Sequence, residues 1–241
     1  MSPDRQPPKI RLFLALPIPD PVQARIERVQ DELRPVLPPK AVRWTKREQF
    51  HLTLRFLGNV EAPRLPDLSH AVRDACSGVG PLPLRAERIG GFPSLRFPRV
   101  LWVWVHDDAE DLVRLQRNIE AAVGGFAERE ETLPNPDSRF EPPNRSRRRE
   151  DFPELQRCPP PHVGGYEHRA RGEGKVFTGH VTIARLSGLR RAQAEILAKR
   201  AHEFVNRQFG EWTAGEVRLM RSELLQSGSV HTVLDRFALS G

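Results

Sequence analysis

His51-Leu52-Thr53-Leu54-Arg55-Phe56-Leu57 and His180-Val181-Thr182-Ile183-Ala184-Arg185-Leu186 carry one pattern twice: histidine, apolar, threonine, apolar, at the head of a strand-like run. In an extended strand successive side chains point to opposite faces, so His51, Thr53 and Arg55 share one face and Leu52, Leu54 and Phe56 the other. The same period groups His180 with Thr182 and turns Val181 and Ile183 into a core. One such tetrapeptide arises by chance. Two, in matching strand contexts, point to a duplicated unit whose halves face each other across a cleft. That arrangement brings two imidazoles and two hydroxyls to one point.

The flanking chain alternates strand-like and helix-like stretches. Ile10–Leu16 is a short apolar run closed by Pro17, which predicts a buried strand. Val22, Ile26, Val29 and Leu33 recur at helical spacing over 20–33, with Asp20 as N-cap and Pro21 in the first turn. Val42–Thr45 and Phe50–Leu57 read as strands, the second ended by Gly58 and Asn59. A helix is expected over 65–76, a strand over 82–89, and a loop at Gly90-Gly91-Phe92-Pro93-Ser94. Val100–Val105 predicts a buried strand with Trp102 and Trp104 in the core. Leu112, Leu115, Ile119 and Ala122 mark a helix over 108–123, stopped by Gly124. After the second motif strand, 189–209 reads as the longest helix, and 216–226 with 230–239 as a closing strand pair. Several helices and eight strands in mixed order make the class α+β.

Composition sets the setting. The 241 residues carry 38 Lys+Arg against 31 Asp+Glu, a formal charge of +7 that favours a polyanionic partner. Residues 128–175 hold 8 of the 23 prolines and the run Arg145-Ser146-Arg147-Arg148-Arg149, with almost no aliphatic periodicity. This Pro/Arg-rich stretch reads as a disordered insertion, because it offers too little apolar area to offset the entropy of ordering it. Its ten basic and ten acidic residues cancel, so the positive excess belongs to the rest of the chain. Cys76 and Cys158 make neither a disulfide framework nor a metal knuckle. No apolar run is long enough for a membrane span, and 12–16 is too short for a secretory signal. The expectation is a cytoplasmic monomer with no membrane partner.

Paired imidazoles suit in-line displacement at phosphorus. With an ordinary pKa near 6.5, one takes a proton from water while the other gives one to the leaving oxygen. Thr hydroxyls donate to the non-bridging oxygens and hold the group in line. Metal ligation is the rival use of two histidines, but no carboxylate or cysteine stands at ligand spacing beside either motif.

Together with Arg11-Leu12-Phe13-Leu14-Ala15-Leu16, Val42-Arg43-Trp44, Phe92-Pro93-Ser94, the run from Phe177 to Leu186, and Arg221-Ser222-Glu223-Leu224, the two motifs resemble the 2H phosphoesterase superfamily. The branch they resemble is the RNA 2′,3′-cyclic phosphodiesterase (2′-5′ RNA ligase) family. The resemblance implies a bilobal, pseudo-twofold α+β fold, with antiparallel sheets lining a central cleft and helices outside. It implies one such domain over 10–241, interrupted by 128–175 and preceded by a loose tail over 1–9. The implied activity is metal-independent hydrolysis of a terminal RNA 2′,3′-cyclic phosphate to a 2′-phosphate, with weak reversible 2′-5′ ligation and no cofactor. The implied partners are RNA ends or small cyclic-phosphate nucleotides.

By the same resemblance His51 and His180 are the acid/base pair, Thr53 and Thr182 hold phosphate, and Arg185 is the phosphate-binding cation. Strand parity puts Arg185 on the face opposite His180, so that role requires a bulge or a side chain curled round the strand end. Arg55 has the right parity and is the alternative cation. Phe56 and Trp44 are candidate stacking surfaces for a nucleobase, although parity groups Phe56 with the core. His231 stands where the family often carries Tyr and either lines the cleft or is a surface imidazole. Gly179 stands where Pro often precedes the second histidine. An RNA-end-binding protein with little turnover, and an enzyme for other cyclic or 2′-5′-linked nucleotides, are the competing readings.

Overall fold

The computed structural model describes residues 7–127, 177–225 and 228–241. The expected insertion over 128–175 lies outside these, as do the Arg145–Arg149 run and Cys158. The described elements run in the order β1 (Lys9–Pro17), α1 (Asp20–Leu33), β2 (Val42–Trp44), β3 (His51–Glu61), α2 (Leu65–Cys76), β4 (Leu82–Phe92), β5 (Val100–His106), α3 (Asp111–Val123), β6 (His180–Leu186), α4 (Arg191–His202), β7 (Gln208–Ala214), β8 (Glu216–Leu225) and β9 (Gly228–Ala238).

The strands form two antiparallel sheets, ordered β3-β1-β8-β9 and β2-β6-β5-β4-β7, so each histidine motif belongs to a different sheet. Alternation along the strands divides each sheet into a helix-covered face and a cleft face. Leu12, Leu14 and Leu16 of β1, with Leu101, Val103 and Val105 of β5, enter one contiguous apolar core. Helices α2 and α3 cover the back of the four-stranded sheet, and α1 and α4 that of the five-stranded sheet. The fold is α+β and bilobal. No helix among the described residues is long and apolar enough to cross a membrane.

Several boundaries differ from the sequence reading. Pro19 is the N-cap of α1, with extended backbone, and Asp20 sits inside the first turn, where its charge complements the helix dipole. The helix expected over 189–209 divides into α4 and a ninth strand, β7. Phe209, which carried the helical pattern onward, is buried in that strand, where β7 covers the edge of β4. Strand β3 continues past Gly58, whose φ of +70° accommodates a bulge rather than an end. Strand β4 likewise runs through Gly90 and Gly91 to Phe92. A Cβ on Gly90 would lie 1.8 Å from the Trp102 ring, so the bare backbone is what lets that indole lie on the sheet. Trp104 is only half-buried and faces the cleft side, opposite His180 in the ladder, with Arg88 over its ring at 5.2 Å. The expectation of a core Trp104 was therefore wrong: β5 alternates, and the core takes Leu101, Val103 and Val105.

Candidate active site

Both motif strands carry the same irregularity. In β3, Thr53 pairs with Ala15 while Arg55 pairs with Leu14, so Leu54 is an extra residue. In β6, Thr182 pairs with Trp102 while Ala184 pairs with Leu101, so Ile183 is extra. Each bulge lies immediately after the His-x-Thr triplet, and each reverses the alternation beyond it. Leu54 and Ile183 both remain in the core.

The reversal settles which side chains join the histidines. Arg185 pairs with Val100 and Arg43, on the cleft face with Thr182, and it is exposed. The parity conflict of the sequence reading is thus resolved by the bulge. Phe56, grouped by parity with the core, comes to the cleft face instead. It is 55% exposed and lies 5.8 Å from the Phe13 ring. Arg55 turns the other way, toward the helices, and pairs with Glu120 of α3 at 3.3 Å. The proposal of Arg55 as a cleft cation is overturned by that single extra residue. Positions 56 and 185 are structural counterparts, one aromatic and one cationic.

Trp44 does not reach the cleft either. In the three-residue β2, Val42 and Trp44 pack on the core while Arg43 takes the opposite face, and the Arg34 guanidinium covers the Trp44 ring at 5.1 Å. Arg43 was not among the residues singled out from sequence. It stands directly opposite Arg185, and its guanidinium would lie 3.2 Å from a Cβ on Gly228 at the β8–β9 hairpin. Like charges facing each other across a ladder are unfavourable unless an anion lies between them. Arg43 and Arg185 are both exposed and neighbour each other across the β2–β6 ladder.

The histidines are oriented alike. His51 Nδ1 is 2.7 Å from the Gln49 carbonyl oxygen and His180 Nδ1 is 3.1 Å from that of Thr178. A carbonyl only accepts, so each Nδ1 carries the donated proton and each Nε2 is the atom left to titrate. His51 packs against Phe13, with ring centroids 4.8 Å apart, and His231 closes on both, 5.3 Å from His51 and 5.0 Å from Phe13. His231 thus lines the cleft. On the other lobe Phe92 lies edge-on to His180 at 5.3 Å, with Trp102 at 6.4 Å.

Burial dominates the electrostatics. It lowers the His51 pKa to about 4, against the opposing effect of the bond to Gln49, and positive charge on His231 or His180 lowers it further. Burial also lowers His180, countered in part by its bond to Thr178, and lowers His231. Positive charge on His180, from the other lobe, is the smallest of the effects on His51.

Two glutamines position the site, and neither was singled out from sequence. Gln30, 2% exposed on α1, donates from Nε2 to the carbonyls of Thr45 and Ile183, each at 2.8 Å. Thr45 N–H also donates to Ile183 at 3.0 Å, so the bulge that turns Arg185 into the cleft is held by two donors. The available signal was a polar residue four positions after Ile26 on the apolar stripe. Gln49, whose carbonyl orients His51, donates its side-chain amide to Ser229 O and ties the β9 hairpin to the site.

Residues 16–102 match the family model described as LigT like Phosphoesterase. The RNA 2′,3′-cyclic phosphodiesterase of Thermus thermophilus is 30% identical, covering 96% of this chain and 91% of the relative. The protein of the same name from Methanothermobacter thermautotrophicus is 26% identical over 96% and 100% of the two chains. Among solved structures, TT0787 of Thermus thermophilus superimposes with a TM-score of 0.62 at 26% identity, covering 95% of this chain and 98% of that one. E. coli LigT complexed with phosphate shares the fold at 18% identity, with a TM-score of 0.58 over 97% and 99% of the chains.

Proposed function

The chain belongs to the LigT-like phosphoesterases of the 2H superfamily, and on that footing we propose that it hydrolyses the 2′,3′-cyclic phosphate at an RNA end to a 2′-phosphate. The observation that carries this reading is the pair of imidazoles presented from two lobes, each with Nδ1 committed to a carbonyl and Nε2 left to exchange a proton.

The chemistry balances on those two atoms. One neutral Nε2 accepts a proton from the attacking water as its oxygen bonds to phosphorus. The P–O3′ bond breaks, and the other imidazole delivers its Nε2 proton to O3′, leaving a 3′-hydroxyl and a 2′-phosphate. Thr53 and Thr182, one beside each histidine, donate to the non-bridging oxygens as charge builds, and Arg185 opposite Arg43 balances that charge. Phe56, exposed on the Phe13 side, offers a face for the terminal base. A 5′-hydroxyl entering in place of water would be handled by the same groups and yield a 2′-5′ linkage, which is the basis for weak reversible ligation.

The direct test is incubation with an oligoribonucleotide ending in 2′,3′-cyclic phosphate, with and without EDTA. The expected result is a 2′-phosphate product formed equally in both. Tight binding without turnover would favour an RNA-end-binding protein, and loss of activity on chelation would overturn the two-imidazole route.

The pH profile gives a second test. The mechanism needs one imidazole protonated and one neutral, and burial holds both below the ordinary 6.5 in the free protein. Raising the pH through neutrality therefore empties the acid, and lowering it toward 4 protonates the base. The kcat/KM profile should be a bell centred on the acid side of 6.5. The bound phosphate anion favours imidazolium, so the kcat bell should lie at higher pH. A kcat/KM that climbs steadily from pH 6 to 9 would exclude an imidazole acid.

A further inference from the structure

Strands β1 and β8 pair only from Leu12–Arg221 to Ala15–Arg218. Beyond Leu12 they part, and a groove of about 310 Å³ opens between Lys9 and Arg11 on one side and Arg221, Glu223 and Leu224 on the other, with Asn59 at its edge. That volume is at the lower end of small-ligand sites, about the size for one nucleotide. Arg221 is tied to Glu223 at 2.7 Å. Lys9 and Arg11 are exposed and have no ion-pair or hydrogen-bond partner among the described residues, which leaves the groove net positive. Leu224, 71% exposed, adds an apolar rim.

One rim of the groove, Arg11 with Asn59, lies on the cleft face of the sheet. Arg11 and Phe13 point to the same face of β1 two residues apart, and Asn59 pairs with Arg11 as Phe56 pairs with Phe13. Ser222, which also lines the groove, is the ladder partner of His231. Arg11 is four residues along β1 from Ala15, the partner of Thr53. At about 3.4 Å per residue this is roughly 14 Å, too far for one phosphate to touch both ends.

Resting on the cyclic-phosphate reading, we infer that this groove holds the sugar–phosphate of a nucleotide preceding the reactive end. The strand leaves the catalytic cleft past Phe56, its phosphate is met by Arg11 and Lys9, and its base lies toward Leu224. Unpaired cations beside an apolar rim are what a flexible single strand requires, since the contacts follow the backbone and not the base sequence. The structure thus favours an RNA strand over a free mononucleotide as substrate.

The test compares kcat/KM of the full chain and of a Lys9→Glu, Arg11→Glu variant on two substrates. These are a ribonucleotide of about five residues ending in 2′,3′-cyclic phosphate and a nucleoside 2′,3′-cyclic phosphate. The oligonucleotide value should fall about tenfold or more while the mononucleotide value is unchanged. Its log–log salt dependence should flatten by about 0.7 per lost contact. The neutral Arg11→Gln should give a smaller loss in the same direction. Equal losses on both substrates, or no loss on the oligonucleotide, overturn the groove. If the unmodified chain turns over neither substrate, the hydrolase reading fails separately. Binding of an oligoribonucleotide ending in a 3′-phosphate then decides: a weaker, less salt-dependent complex for the variant supports the groove, and unchanged affinity overturns it.

Discussion

Replacing His51 or His180 by alanine should lower turnover of an RNA 2′,3′-cyclic phosphate by about 10²–10⁴ while the chain stays folded. Each ring is held through Nδ1 by a carbonyl two residues upstream, so its removal frees one carbonyl and leaves the ladders of β3 and β6 intact. On the proposed route the two rings act as a unit on one proton relay, so the double variant should be scarcely slower than either single one. Each single variant should also lose one limb of the pH bell, since one of the coupled titrations disappears. Steady-state rates, pH profiles and far-UV circular dichroism read these outcomes together. Full activity in either single variant would sink the mechanism.

Gly179→Ala should cost about 1–3 kcal/mol of stability, an overpacking penalty in a site with no slack. A Cβ there would lie 2.4 Å from the Val105 carbonyl oxygen and 3.0 Å from both Leu112 Cδ2 and Leu52 Cδ1. Those three neighbours belong to β5, α3 and β3, so the clash falls where the two lobes meet. Backbone has to yield, because Gly179 O also accepts the Val105 N–H at 2.9 Å. The melting temperature should drop by about 2–4 °C for each kcal/mol lost. Activity should fall beyond that, because the displaced residue adjoins His180. Gly215→Ala is the control: nothing lies within 4 Å of its Cβ, and it should be neutral or slightly stabilising. Gly179→Ala with the melting point and rate of the unmodified chain would refute this account. The family departure at this position thus has a packing explanation of its own.

Much of the fold was legible because periodicity reports burial directly. Val22, Ile26, Val29 and Leu33 marked α1, and each is buried. Ile10–Leu16 marked β1, which begins one residue earlier than expected, at Lys9, and ends one later, at Pro17. The division of 189–209 was not legible, since Phe204 and Phe209 are both buried, one after α4 and the other in β7, and burial alone does not say which. Gln30 was overlooked for a related reason: its value lies in two carbonyls distant in sequence, on Thr45 and Ile183.

The sequence by itself determined the paired motif: two His-x-Thr triplets at strand heads, which alternation alone turns to one face in each strand. Only the tertiary structure decided what stands beside them. One extra residue after each triplet reverses the alternation, so Phe56 and Arg185 enter the cleft while Arg55 leaves it for Glu120. A bulge is a mismatch between two paired strands, held here by a partner strand and, for Ile183, by a helix side chain. It is a property of the pairing and is not written in either strand alone.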